Sequence, residues 1–558
     1  MASEQPSVLD ETSFDVIVLG TGLVESILAG SLARIGKTVL HLDSNPYYGG
    51  NWSVLNFRDL LSWVKDRSDC VMNEQEADNT IHYKKRYEEN FRNIDFKLYE
   101  PSTDSKEDSK SLETAPSQLQ EAIAALHTHL QPSTLWEEDV IKSALEREAA
   151  IITESSTTDL TKSVSKLERM LDSVKQSRSY NLDLAPKILG CRGELVEVLM
   201  RSGVGRYLEF QGVNDIFLYD AADDHFEKVP SSKEDVFTNK SIALVEKRKL
   251  MKFLTFAMNY DEQDVASLEG YETAPYERFL EEKFKITGKL QAAILYAIAI
   301  VDSKALTPQG LARTQSFMKS MGRFSKGGYL CALYGGGSEI AQAFCRVCAV
   351  YGGVYILNQP LKKMEMDNDN QCVGVTTEDG QTFHCRWLVT GIDYMPKNWL
   401  SSTEQTWVSR AFLVTDRPLA YVEEDHMEAL GFGVIPPQTI AANTKPVLSL
   451  HLSNESMACP RDQYVTYLWT EDDSQVLQDI VQTLLDKHDV SPRFALFYQQ
   501  RIRHCEDAQL PGNVLLCPDP TASLDFEDAM RKAMQLFTVC CPEEEFMPAQ
   551  EEDPDANI

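Results

Sequence analysis

Gly20-Thr21-Gly22 is followed by Leu23-Val24-Glu25-Ser26, and Asp43 stands at the end of the next apolar run. This is half of the dinucleotide fingerprint G-x-G-x-x-G. In that pattern the first glycine makes the turn and the second lets backbone approach a pyrophosphate. The third lets helix pack on strand, and an acid further on takes the ribose hydroxyls. Glu25 occupies the third position. A helix N-terminus attracts anions through its free amides and its dipole. A carboxylate in the first turn already satisfies that field, adds bulk where helix and strand should touch, and puts negative charge where a pyrophosphate would lie. The residues alone leave two readings open: a working flavin or nicotinamide site with a varied third position, or a spoiled one.

Other chemistry-bearing groups are weaker. Ile35-Gly36-Lys37-Thr38 resembles the end of a P-loop, but the spacing from Gly30 is one residue too long, and Lys37 precedes a strand where a P-loop lysine opens a helix. Cys345 and Cys348 form a lone C-x-x-C and read as small core residues on one helix face. His127 and His129 would point apart on a helix, so no metal site is expected there. Cys540-Cys541 is followed by seventeen residues and is no prenylation box. The chain has no G-x-S-x-G elbow, no H-E-x-x-H and no kinase signature set.

The elements that position the glycine loop are legible. FDVIVL, residues 14–19, is short, apolar and β-branched and predicts a buried strand. Leu23 to Ile35 predicts a helix, and KTVLHLD a second strand ending at Asp43. This β-α-β unit sets the class as α/β with a Rossmann-like start. Residues 66–178 are rich in Ser, Thr, Glu, Asp, Lys and Gln with poor β-periodicity, and PSTDSKEDSKSLETAPSQ has a disordered composition. They read as an inserted, partly mobile segment, with EAIAALHTHL and SALEREAAI as short helices. The division that follows is 1–65 as the first part of domain I, 66–178 as the insertion, 179–230 as the second part of domain I, 231–325 as a helical domain II, 326–541 as the third part of domain I, and 542–558 as an acidic disordered tail.

The net charge is 54 − 85 = −31. That argues against nucleic acid, whose phosphates call for Lys and Arg, and suits a partner with basic patches. Twelve cysteines have no regular spacing, and the opening MASEQPSVLDETSFD is no signal peptide. Free thiols in a reducing cytosol are the expectation. The longest apolar run, Ala292 to Val301, is too short to span a bilayer, which takes about 20 residues.

Several separate stretches carry a resemblance: DVIVLGTGLVES…GKTVLHLDSNPYYGG, then YNLDLAPKIL, RYLEF, EKRKLMKFLTF, MGRF and LYGGGSE…FCRVCAVYGGVY, in that order. The chain resembles the family of Rab escort proteins and Rab GDP-dissociation inhibitors over most of its length outside 66–178 and the tail. YGGNW followed by LLSW, the long segment before YNLDL, and FCRVCAV and KLMKFLTF resemble the escort branch. A recycling inhibitor is the alternative, and a flavin-dependent oxidoreductase the third reading.

The resemblance implies a non-enzyme with a flavoprotein-like fold, without flavin or metal. It implies binding of GDP-bound Rab GTPases and their presentation to Rab geranylgeranyl transferase, whose catalytic subunits are separate chains. It also implies shielding of the geranylgeranyl lipid and delivery to a membrane, from a cytosolic location with transient membrane contact. The Rab-binding platform of the family matches Tyr48, Glu339, Arg346, Val354 and Ile356. The family pattern YG-x-GELPQ is altered here to Tyr334-GGGS-Glu339-Ile-Ala-Gln342, with one residue added and Ala341 in place of proline, which could shift Glu339 relative to Arg346. Transferase docking is implied for Phe237 and Val245, with Lys247, Arg248, Lys249 and Lys252 as a basic face. A lipid groove is expected along Leu250, Phe253, Leu254, Met258, Ile294 and Ile298, where each buried methylene gains about 0.8 kcal/mol. Gly20, Gly22, Glu25 and Asp43 are then the vestige of a dinucleotide loop.

Overall fold

A computed structural model describes residues 9–68, 79–101, 157–230, 236, 242–261, 263, 265–396, 399, 405–419, 430–503 and 510–549. The β-α-β start forms as the sequence predicts. Strand Ser13–Leu19 leads through the glycine turn into helix Leu23–Arg34 and on to strand Val39–Leu42. Both strands are almost wholly buried, which is why they read as unbroken apolar runs rather than alternating ones. They lie in a seven-stranded sheet whose order is Val354–Ile356, Val39–Leu42, Ser13–Leu19, Thr382–Gly391, Cys372–Thr377, Leu361–Met366, with Val514–Cys517 also pairing to Thr382–Gly391. The pairs around Ser13–Leu19 are parallel. Among the described residues Val354–Ile356 is an edge strand of this sheet, and it pairs only with Val39–Leu42.

A second sheet of eight strands runs Phe91–Leu98, Pro492–Arg503, Gln405–Thr415, Tyr464–Thr470, Val447–Ser453, Leu430–Ile435, Asp215–Asp220, His225–Lys228. Its first strand corrects the reading of 66–178 as one insertion. Phe91–Leu98 is antiparallel to Pro492–Arg503, and helix Thr157–Lys175 buries Leu167, Met170 and Val174 in the main core. The polar composition misled because Phe91–Leu98, FRNIDFKL, is only half-buried and so carries charged residues. The disordered-composition stretch after residue 101, the two short helices expected in it and both histidines lie outside the described residues.

The tail is a second correction. Phe546 and Met547 are buried, Phe546 packs edge-on against Phe537 at 5.2 Å, and Arg201 Nη2 donates to the Phe546 carbonyl at 2.9 Å. Two apolar residues outweigh the acids around them, so the packed chain continues past 541 through Met547. Between residues 242 and 325 the described chain carries helices Leu244–Met258, Tyr276–Phe284, Gly288–Ala292 and Thr307–Ser320. Cys345 and Cys348 are buried on helix Gly336–Val350. No helix among the described residues is long and apolar enough to cross a membrane.

Candidate binding surface and the glycine loop

Gly20 adopts φ +96°, the left-handed turn for which glycine is needed, and Gly22 caps helix Leu23–Arg34. Glu25 in the first turn bends back under the loop instead of facing outward and is only 6% exposed. A Cβ at Gly22 would collide with its Oε2, and one at Gly391 would lie 2.7 Å from its Oε1. Its carboxyl thus occupies the space between the glycine turn and the end of strand Thr382–Gly391. Oε2 has no hydrogen-bond partner among the described residues. Burial, reinforced by the charges of Asp43, Asp393 and Asp519, pushes its pKa up to about 8. Glu25 is therefore a neutral acid at pH 7. The sequence reading assigned its effect partly to negative charge; the buried geometry makes it an effect of bulk.

Asp43 turns inward as well. Its Oδ2 accepts from the Thr21 amide at 2.8 Å and the Thr21 hydroxyl at 2.6 Å, and its Oδ1 accepts from the Asn45 amide at 2.7 Å and the Tyr394 hydroxyl at 3.0 Å. Tyr83 stacks on Tyr394 at 4.3 Å and closes the site from outside. The cavity left between Gly20, Gly22, Glu25, Asp43, Asp393 and Asp519 is about 30 Å³, room for one water molecule.

Beside it lies a buried polar hub that sequence reasoning missed. Arg503 donates from Nε and Nη2 to the two oxygens of Asp519, each at 2.8 Å, and from Nη2 to Asp393 Oδ1 at 2.7 Å. Asn51 Nδ2 donates to Asp393 and Asp519 at 3.2 and 3.1 Å, and Asn90 Nδ2 to Asp393 at 2.8 Å. Residues from position 51 to position 519 meet here, and no motif spacing marked them in the sequence.

The five platform positions gather at the edge strand and the helix beside it. Val354 and Ile356 are half-buried on the edge strand. Tyr48 is half-buried, its ring 6.4 Å from Tyr355, and its carbonyl accepts from Ser338 Oγ at 3.3 Å. The extra residue near Glu339 is absorbed in the turn, where Tyr334 and Gly335 take φ of +64° and +102° and helix Gly336–Val350 begins at once. Glu339 and Arg346 are seven residues apart on that helix, hence two turns apart on one face. The helix start is held by Asp183 Oδ2, which accepts from the Gly336 amide at 3.0 Å, so Glu339 is free of capping duty. Burial raises the Glu339 pKa, and its carboxylate accepts from Gln342 at 3.2 Å. Arg346 is exposed, with its guanidinium carbon 4.4 Å from the centroid of the Tyr207 ring. Tyr207, Val350 and Tyr351 are exposed apolar neighbours that the sequence reading did not single out. The only signal was the apolar end of FCRVCAVY on a helix whose other face is core.

The helical block divides its residues sharply. Val245 is 61% and Leu244 65% exposed in the first turn of helix Leu244–Met258. Arg248 and Lys252 are exposed too, while Lys249 Nζ donates to the Lys285 carbonyl at 2.8 Å. Phe237 lies outside the described residues. Leu250, Phe253, Leu254, Ile294 and Ile298 are all buried in one core, and Met258 is on the surface.

The model of the GDP dissociation inhibitor family matches residues 9–84 and 144–544. Rab proteins geranylgeranyltransferase component A 2 of Mus musculus is 30% identical, covering 96% of this chain and 97% of its own length. Component A 1 of Homo sapiens is 30% identical over 98% and 93% of the two chains. Rab escort protein 1 of Arabidopsis thaliana is 25% identical over 95% and 92%. Among solved structures, the Rab GDI of Plasmodium falciparum superposes with a TM-score of 0.65 at 18% identity, covering 96% of this chain and all of that one. An oxidoreductase from Methanosarcina mazei superposes with a TM-score of 0.51 at 10% identity over 94% and 99% of the two chains, a likeness of fold. The family match spans most of the chain and agrees with the run of motifs from residue 15 to residue 355: the chain belongs to the GDP dissociation inhibitor family.

Proposed function

We propose that this chain is a non-catalytic Rab escort protein. It binds GDP-bound, unprenylated Rab GTPases through the face carrying Tyr48, Glu339, Arg346, Val354 and Ile356, and presents them to Rab geranylgeranyl transferase. It then shields the new lipids and carries the Rab to a membrane. The observation that carries this reading is the clustering of an exposed Arg346, a half-buried Tyr48 and an open strand edge on one face. Rigid aromatics and a planar guanidinium make binding anchors, and the edge strand offers unpaired backbone groups. Arg346→Ala is expected to weaken Rab-GDP binding by about 2 kcal/mol, roughly thirtyfold, measured by titration with a fluorescent-GDP Rab. An unchanged Kd would remove Arg346 from the interface.

The transferase docks elsewhere, on the helical block. Two aliphatic side chains exposed together at Leu244 and Val245 make an apolar anchor beside the cations Arg248 and Lys252, which suits an acidic partner surface. Val245→Asp is expected to weaken assembly of the Rab–escort–transferase complex by about tenfold while leaving Rab-GDP binding within about twofold. Equal loss of both would refute the division of labour. Phe237 is proposed as a second anchor of the same contact. An inhibitor would bind prenylated Rab without recruiting the transferase, so a pull-down of the transferase with unprenylated Rab-GDP separates the two.

No flavin takes part in this reading. The Glu25 carboxyl fills the space a pyrophosphate would need, Asp43 is committed to Thr21, Asn45 and Tyr394, and a cavity of about 30 Å³ is far too small for a dinucleotide. These residues do not fit the group. A visible flavin spectrum in the purified native protein would overturn this.

A further inference from the structure

Helix Gly288–Ala292 runs into a π-helical turn, Ala293–Ile298. The wide turn is marked by the Ala299 amide donating to the Ile294 carbonyl at 2.8 Å, five residues back. It ends at Ile300, whose φ is +49°, and the Val301 amide closes onto the Leu295 carbonyl at 3.0 Å. A left-handed residue ending a helix is ordinarily glycine, and a β-branched side chain there is a marked outlier. π-helical turns are rare and concentrate at functional sites. Two unfavourable features therefore sit together in one short segment.

The segment lies on a seam. Its inner side chains Ile294, Leu295, Ala297 and Ile298 share the buried core with Leu250, Phe253 and Leu254. Tyr296, Ile298, Ala299, Ile300 and Val301 also line a cleft of about 840 Å³, together with Lys445, Leu448 and Trp469. The segment is strained where it stands and has open space beside it.

We propose that residues 293–301 are a strained hinge whose relaxation opens the helical core to an isoprenyl chain; this rests on the escort reading above. The closed arrangement holds the π turn and the left-handed Ile300. In the open one the segment rewinds as an ordinary helix and moves toward the cleft, shedding both. Strain confined to the closed form raises the fraction of open form. A lipid that needs the open form binds more tightly in proportion to that fraction.

The test compares glycine with alanine at position 300, so that both variants lack the isoleucine side chain and differ only in backbone preference. Glycine relieves the left-handed strain. Ile300→Gly is expected to bind a fluorescent geranylgeranylated cysteine peptide about fivefold more weakly than Ile300→Ala. Hydrogen exchange of the amides of residues 295–301 without lipid is expected to slow by a similar factor. Lys285 also has a positive φ, +58°, at the end of helix Tyr276–Phe284. Lys285→Gly against Lys285→Ala is expected to change neither readout. Equal lipid affinity and equal exchange for the two position-300 variants would overturn the hinge, as would the same effects at position 285. If even the wild-type chain fails to bind the peptide, the escort reading falls, while the exchange ratio still decides whether the segment is a strained hinge.

Discussion

Arg503→Met is expected to lower folding stability by about 3–5 kcal/mol, the usual cost of removing one partner from a buried ion pair. The guanidinium joins Asp393 and Asp519 at 2.7 and 2.8 Å, and its side chain is 4% exposed. Burial alone would disfavour its charge, but the two carboxylates outweigh burial and hold its pKa above the ordinary value. Methionine matches the length of the stem but takes away the guanidinium that both carboxylates bond, leaving Arg501 as the cation near them. Urea unfolding should show a lower midpoint. Adding Asp393→Asn and Asp519→Asn to Arg503→Met should recover part of the loss, because these residues act as a unit. A midpoint within about 0.5 kcal/mol of wild type would mean the hub does not tie the chain together. The hub also holds Asn51, which follows the Tyr48-Gly49-Gly50 turn and donates to both acids, so loosening it releases the loop that carries Tyr48.

The second large effect is a pH dependence centred on Glu25. Its pKa is raised from 4.5 to about 8 by burial and by the neighbouring charges of Asp43, Asp393 and Asp519. The folded state therefore binds the proton more tightly than the unfolded chain. The stabilisation linked to that proton is complete below about pH 4.5 and is lost progressively as pH rises towards about 8. A shift of this size corresponds to something on the order of 5 kcal/mol. Glu25→Gln keeps the shape and removes the titration. It should gain stability relative to wild type as pH rises from about 5 to about 8, with a plateau above. Parallel stability profiles for the two proteins over that range would show that Glu25 does not titrate there.

Much of this was legible in the sequence, and the misses have physical reasons. The β-α-β start could be read because Ser13–Leu19 and Val39–Leu42 are buried strands and so carry continuous apolar runs. Glu25 could be recognised as the anomaly of its loop, because one position in a spaced pattern was wrong. Its protonation could not, since that comes first from burial in the folded molecule and then from the charges of Asp43, Asp393 and Asp519 around it. Phe91–Leu98 was hidden by its half-exposed faces, and the end of the chain by counting acids without weighing Phe546 and Met547. The family motifs pointed to Arg346 as a binding candidate, yet Tyr207 emerged only when folding laid it under that side chain. Leu250, Phe253 and Leu254 read equally well as core or as groove, and in the structure they are buried in the core.

The most direct test of the central claim is in vitro geranylgeranylation of a GDP-loaded Rab by purified Rab geranylgeranyl transferase, with and without this chain. The account predicts that lipid incorporation depends on the chain, that the chain itself is unmodified and not consumed, and that Arg346→Ala shifts the Rab concentration needed. Equal incorporation in its absence, or none in its presence with a transferase active alongside a known escort protein, would contradict it.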